Sequence, residues 1–169
     1  SGNRDALRLC EVAILNKHAV QDIRAALLDT YGHPARADVA LSRVLFRMER
    51  YREGEALLRR VSPQVLDGAL RHFLLGNFAV KRDDVEGAAA EYDRCLAGDP
   101  TFAPAHNNLG VIAAAQGRRR QSLEHLIEAA RLKPGYADPK QNLEALQEGR
   151  VSDLRHTLAP LRAVLRPTS

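Results

Sequence analysis

Residues 70–102 read LRHFLLGNFAVKRDDVEGAAAEYDRCLAGDPTF, and residues 104–136 read PAHNNLGVIAAAQGRRRQSLEHLIEAARLKPGY. The two stretches repeat one pattern. Gly110 follows Gly76, and Pro134 follows Pro100, at the same offset of 34 positions. At that offset Leu75 answers Leu109, His72 answers His106, Ala79 answers Ala113, Ala88 answers Ser122, Tyr92 answers Leu126 and Cys95 answers Ala129. A fixed period of this length marks a stacked helical repeat. Gly76 and Gly110 fall in mid-helix, where glycine costs roughly 1 kcal/mol against alanine. The reason expected is close approach of the two helices of a pair, where a Cβ would clash. Asp83 followed by Glu86 suits the N-terminus of the second helix of the first copy. Asp99-Pro100 and Lys133-Pro134 end each copy, since the residue before proline is pushed out of helical geometry.

Working outward, residues 5–15 and 19–30 read as a helix pair. Val20, Ile23, Leu27 and Tyr31 make one apolar face, stopped by Gly32 with Pro34 beyond. Residues 35–61 form a second pair: Leu41, Leu45 and Met48 line one helix, Ala56, Leu57 and Val61 the next, with a tight link near Glu49–Tyr51. There Ser42 replaces the repeat glycine and Leu58 takes the large position of the second helix. Residues 137–149 read as a further first helix, with Leu143 and Leu146 inward and Gly149 as its stop. Residues 152–166 read as a last helix with Leu154, Leu158, Leu161 and Leu165 on one face, bent by Pro160. This helix is expected to cap the array, because a stacked repeat cannot bury its outer face alone.

The order Leu-Gly, two residues, Ala, then a small residue, a large one, a small one and a proline resembles the tetratricopeptide repeat (TPR). His72 and His106 stand where that family often carries Trp, and Ala79 and Ala113 where it prefers Tyr. The resemblance implies an all-α fold, a right-handed superhelix (α-solenoid) of antiparallel helix pairs with a C-terminal capping helix. It implies one domain over 1–169: 3–34 a degenerate repeat or N-terminal cap, 35–68 a divergent repeat, 69–102 and 103–136 clear repeats, and 137–169 a partial repeat and cap. It further implies an adaptor that holds a peptide or partner domain in a concave groove lined by first helices. The family's groove positions map onto Phe73, Leu74, Asn77, Val80 and Lys81, then Asn107, Asn108, Val111 and Ala114. The preceding pair offers Val39, Arg43, Phe46 and Arg47, and the following helix Gln141 and Asn142. Asparagine suits this use because its amide both donates to and accepts from a peptide main chain; asparagine is also common at these positions. Family members that grip a C-terminal carboxylate use lysine and arginine where this chain has Phe73, Asp138 and Asn142. Without those cations the charge-assisted bonds to an acidic tail are missing, so such a clamp is not expected.

Composition agrees with all-helical packing by Leu and Ala. The chain is 45% hydrophobic but only 5% aromatic, and 27% charged, with no apolar run near the ~20 residues a membrane span needs. Ser1-Gly2 resembles a cleavage scar, so the natural chain is expected to extend further. The compartment stays open, with the cytoplasm favoured. Cys10 and Cys95 sit in apolar stripes and read as small buried residues rather than a disulfide or redox pair. No nucleophile elbow, phosphate loop or Cys-x-x-Cys is present, so neither an enzyme active site nor a cofactor is expected. His106 and His125 can approach across a helix hairpin, but no third ligand accompanies them and no metal site is expected.

Arg118, Arg119 and Arg120 open a second helix, where the helix dipole disfavours positive charge by ~0.3–1 kcal/mol per residue. One reading is an anionic partner. The other follows from the repeat: Arg50, Asp84 and Arg118 share one position, and Arg52, Glu86 and Arg120 another, so stacking would set them in plus–minus–plus ladders. Nucleic acid is not the expected partner despite a net charge of +4, since no basic stretch is interleaved with stacking aromatics and Trp is absent. Peptide capture in the groove is the first functional expectation. The alternatives are a self-associating scaffold (a homo-oligomer, or an assembly domain of a larger protein) and a secretion-chaperone-like repeat protein.

Overall fold

In a computed structural model of the chain, residues 20–158 are described. The helix expected at 5–15, Cys10, and Leu161 and Leu165 of the expected cap lie outside them. The described residues form helices joined by short turns, with no strand among them. They fall into two compact units that divide between Asp67 and Gly68.

The first unit holds α1 (Val20–Tyr31), α2 (Pro34–Arg47) and α3 (Tyr51–Arg60). Ile23 and Leu27 of α1, Leu41, Val44 and Leu45 of α2, and Leu58 of α3 are among its buried apolar residues, with Val61 just beyond. His33 caps α2, its Nδ1 accepting from the Ala35 amide, and Pro34 follows at the first helical position. Asp38 accepts from the Arg24 guanidinium at 2.7 Å and ties α1 to α2. Ala56, expected to line α3, is exposed. Its neighbour Glu55 is buried instead and pairs with Arg59 one turn on.

The second unit holds α4 (Gly68–Lys81), α5 (Val85–Gly98), α6 (Ala103–Ala115), α7 (Arg119–Leu132), α8 (Ala137–Gln147) and a single 3-10 turn at Val151–Asp153. Consecutive helices pack as antiparallel hairpins, α4 on α5 and α6 on α7, and α8 lies against both α6 and α7. The glycines do what their placement suggests. An added Cβ on Gly76 would lie 2.4 Å from Tyr92 Cε1, and one on Gly110 would lie 2.7 Å from Leu126 Cγ. Tyr92 and Leu126, at one repeat position, therefore fill the notch that each glycine leaves.

The repeat register reaches back into the first unit and is visible in the backbone. Glu49, Asp83 and Gly117, each 34 residues from the next, have φ of +59°, +59° and +74°. This left-handed residue turns the chain from first to second helix, and only at Gly117 is it a glycine. The next residue is the N-cap each time: Arg50, Asp84 and Arg118. The capping residue of α5 is thus Asp84, whose carboxylate accepts from the Gly87 amide at 2.9 Å, and not Asp83. Asp83 is committed to the turn itself. One step deeper, Gly54, Ala88 and Ser122 are the small buried residues, and Leu58, Tyr92 and Leu126 the large ones, each of the latter fully enclosed.

Two further expectations differ from the structure. The charged residues at the turns pair locally, Arg50 with Glu53, Arg82 with Asp84 and Arg120 with Glu124; no ion pair among the described residues links Asp84 to Arg118 or Glu86 to Arg120. A flexible arginine finds a carboxylate within its own helix end before one a repeat away. The second correction concerns residues 152–158, which are not helical. After the 3-10 turn the chain is extended from Leu154 (φ −65°, ψ 138°), and no helix forms through Leu158.

Candidate functional site

The segment 154–158 lies across α6 and α8, and four asparagines meet it or one another there. Asn107 and Asn108 are fully buried, and Asn77 and Asn142 are 2% exposed. Asn142 holds residue 155 from both sides: its Oδ1 accepts from the Arg155 amide at 2.9 Å, and its Nδ2 donates to the Arg155 carbonyl at 2.9 Å. Asn108 does the same for residue 157, accepting from the Thr157 amide at 2.6 Å and donating to the Thr157 carbonyl at 3.1 Å. The asparagines take residues 155 and 157 and pass over residue 156 between them. This alternation is that of a β-strand, in which successive residues face opposite ways. A side-chain amide here takes the place of a neighbouring strand.

Asn108 and Asn142 stand 34 residues apart, so two successive repeats present the same amide at the same place. The surrounding hydrogen bonds fix which way each amide points. Asn142 Nδ2 donates to Asn107 Oδ1 at 2.8 Å, and Asn107 Nδ2 reaches the Arg155 carbonyl at 3.2 Å and the Thr157 hydroxyl at 3.1 Å. Asn108 Nδ2 also points to Asn77 Oδ1 at 3.3 Å, which accepts from the Tyr92 hydroxyl at 2.8 Å. Burial raises the Tyr92 pKa, keeping that hydroxyl a neutral donor. Asn77 Nδ2 is buried with no hydrogen-bond partner.

The Thr157 side chain has its own receptor. Its hydroxyl donates to Asp138 Oδ2 at 2.7 Å and meets the Tyr136 hydroxyl as well as Asn107. With the threonine proton given to Asp138, Tyr136 is the donor in its contact; burial and then the Asp138 charge raise the Tyr136 pKa and keep it protonated. Leu154 packs on the apolar cluster of Ala114, Leu126 and Leu146. Burial alone pulls the His156 pKa down to about 4, and its Nε2 is enclosed without a hydrogen-bond partner.

The residues expected at the groove are dispersed by this arrangement. Asn77, Asn107 and Asn108 are brought together. Val111 is buried on the same helix as the last two, and Gln141 is exposed, yielding its place to Asn142 beside it. Phe73 is fully buried against Tyr92 and Phe102, at ring-centre distances of 5.6 and 5.0 Å, and so lies in the core of its own hairpin. Lys81 is exposed at the end of α4. Arg43, Phe46 and Arg47 belong to α2 of the first unit, where Phe46 meets Tyr51 edge-on. Arg118, Arg119 and Arg120 are all exposed. Asp138, Tyr136 and Thr157 carry no signal in the sequence: a contact between positions some 20 residues apart, at the edge of a helix, has no period.

Other polar pairs bridge first and second helices. His72 Nδ1 lies 2.7 Å from Glu91 Oε2, and at the same positions one repeat on His106 Nδ1 lies 3.1 Å from His125 Nδ1. His106 Nε2 donates to the Pro100 carbonyl, so its Nδ1 is the acceptor and His125 donates. Burial, then the nearby His106, lowers the His125 pKa. Among the described residues no group of three His, Cys, Asp or Glu side chains is placed to hold a metal, and no helix is long and apolar enough to cross a membrane.

No family model and no curated protein matches the chain. Solved structures do. A crystal structure of MamA is 16% identical with a TM-score of 0.60, covering 78% of this chain and 78% of its own. MamA from Desulfovibrio magneticus RS-1 (residues 41 to the end) is 13% identical with a TM-score of 0.61, covering 90% and 88%. YrrB, described as a TPR protein with an unusual peptide-binding site, is 16% identical with a TM-score of 0.56, covering 83% and 75%. At these identities the likeness is one of fold, and it coincides with the 34-residue register of glycines, turns and caps. The fold is thus the all-α helical-repeat fold of these structures, one of which is described as a TPR protein.

Proposed function

We propose that the protein is a non-catalytic interaction module that holds an extended segment of a partner protein against the first helices of its repeats. The observation that carries this reading is the paired grip of Asn142 and Asn108 on the main chain of alternate residues. Such a grip reads backbone and not sequence, so it suits any extended segment, and here the chain's own residues 155 and 157 occupy it. Each net hydrogen bond contributes about 0.5–1.5 kcal/mol, so the four supply about 2–6 of the roughly 8 kcal/mol that micromolar binding needs, and apolar contact must supply the rest. The occurrence of a peptide-binding site in YrrB supports the same reading. The exposed arginines at 118–120 support an anionic partner less well, since Arg120 already pairs with Glu124 and Arg118 with Gln116.

The test is selection of displayed random peptides on Thr157→Val, which weakens the chain's own occupant, repeated on Thr157→Val carrying Asn108→Ala/Asn142→Ala, with circular dichroism to follow helix content. Peptides retained by the first variant are expected to be lost from the second. Equal retention by a fully helical triple variant would remove the grip from the account.

A further inference from the structure

The main-chain grip is indifferent to sequence, but the site around residue 157 is not. Three groups from α8, the turn before it, and α6 converge on one side-chain oxygen: the Asp138 carboxylate as acceptor, with the Tyr136 hydroxyl and Asn107 Nδ2 as donors. A hydroxyl has one proton to give and two lone pairs to receive, and this set uses all three. Valine has the shape of threonine but would leave a carboxylate and two donors facing methyl groups. A site built to hydrogen-bond a hydroxyl rejects the analogue lacking it far more strongly than an apolar pocket rejects an added methylene. A phosphorylated threonine is refused for a different reason, because its charge would be set against that of Asp138.

Building on the peptide-holding reading, we propose that the groove selects extended partner segments bearing Thr or Ser two residues after the one gripped by Asn142. Residues 154–158 are its built-in occupant, which such a partner must displace. Thr157 is buried in this role, while Arg155 is exposed, so the segment presents to the groove only what the groove reads. A tethered occupant competes at an effective concentration on the order of millimolar. For an occupant whose own untethered affinity is about 1–10 micromolar, that masks the site by roughly 100- to 1,000-fold.

The experiment uses the full chain and labelled heptapeptides read by fluorescence anisotropy. The peptides are Ser-Asp-Leu-Arg-His-Thr-Leu, the sequence of residues 152–158, and its forms with valine or phosphothreonine in place of threonine. The chains are the parent, Thr157→Val, and Thr157→Val carrying Asn108→Ala/Asn142→Ala. The expected result is at least tenfold tighter binding of the threonine peptide to Thr157→Val than to the parent. On that variant the valine and phosphothreonine peptides should bind at least tenfold more weakly than the threonine peptide. Equal binding of threonine and valine peptides, lost together in the triple variant, overturns hydroxyl selection and leaves peptide holding intact. Equal affinity of parent and Thr157→Val for the threonine peptide overturns the built-in occupant. If no peptide binds either chain at millimolar concentration, peptide holding fails and the inference with it. Should Thr157→Val lose its helical signal, the ratio of threonine to valine peptide affinity on the parent chain decides the selectivity alone.

Discussion

Gly76→Ala sets two effects of opposite sign against each other. Alanine favours a helix interior by about 1 kcal/mol over glycine, so on propensity alone the substitution stabilises. The added Cβ, however, would lie 2.4, 2.7 and 2.9 Å from three ring carbons of Tyr92. Ordinary contact begins near 3.4 Å, so the ring must retreat by roughly an ångström. It has nowhere to go: Tyr92 is fully enclosed, packs on Phe73, and its hydroxyl is tied to Asn77 at 2.8 Å. Overpacking costs about 1–3 kcal/mol, and breaking the buried hydrogen bond adds about 1–3. The net expected loss is roughly 1–5 kcal/mol. Urea unfolding followed by circular dichroism reads it as a lower midpoint with unchanged slope. The decisive arm is Tyr92→Ala, which vacates the notch. On that background Gly76→Ala should cost nothing or stabilise by about 1 kcal/mol, because only propensity remains. An unchanged or raised midpoint for Gly76→Ala alone would refute the claim that the repeat glycine exists to admit Tyr92.

Asn108→Ala should release residues 154–158, exposing the Arg155–His156 bond to trypsin; losing both main-chain hydrogen bonds costs about 1–3 kcal/mol, a rise of roughly 10- to 100-fold in cleavage rate. Acid should release the same segment through His156. Its pKa is near 4 when docked and near the ordinary 6.5 when free, so docking is fully stable above pH 6.5 and weakens as pH falls from there towards 4. The loss is about 1.4 kcal/mol per pH unit, roughly 3 kcal/mol in all, readable as a His156 imidazole resonance that titrates well below the free value. Replacing Arg118, Arg119 and Arg120 together with Gln should leave the unfolding midpoint unchanged or slightly raised, since three cations leave a helix N-terminus for the loss of one exposed pair. Loss of peptide binding in that variant would restore the anionic-partner reading.

The repeat hairpins were legible because one physical requirement, a glycine opposite a bulky residue of the paired helix, recurs at a fixed offset. That offset also marks residues that no family pattern singles out, such as Glu49 and Asp83 in the left-handed turn. Around Phe73, groove and core positions share one pattern. Every residue from Phe73 to Ala79 is buried, so α4 has no polar face by which periodicity could separate groove from core. The segment after Gly149 was hidden more thoroughly. Leu154 and Leu158 have helical spacing, yet the groups that decide their backbone are amides nearly 50 residues back in Asn107 and Asn108. A helix would have to satisfy its own amides; here Asn142 and Asn108 satisfy those of residues 155 and 157. Local propensity is weak enough for that to prevail.

Amide hydrogen exchange, resolved residue by residue across 154–158 in the full chain, tests the asparagine grip most directly. Exchange should alternate: slow at Arg155 and Thr157, whose amides donate to Asn142 and Asn108, and fast at His156 between them, with the protection at 155 and 157 lost in Asn108→Ala/Asn142→Ala. Uniformly fast exchange, or protection that survives the double variant, would contradict it.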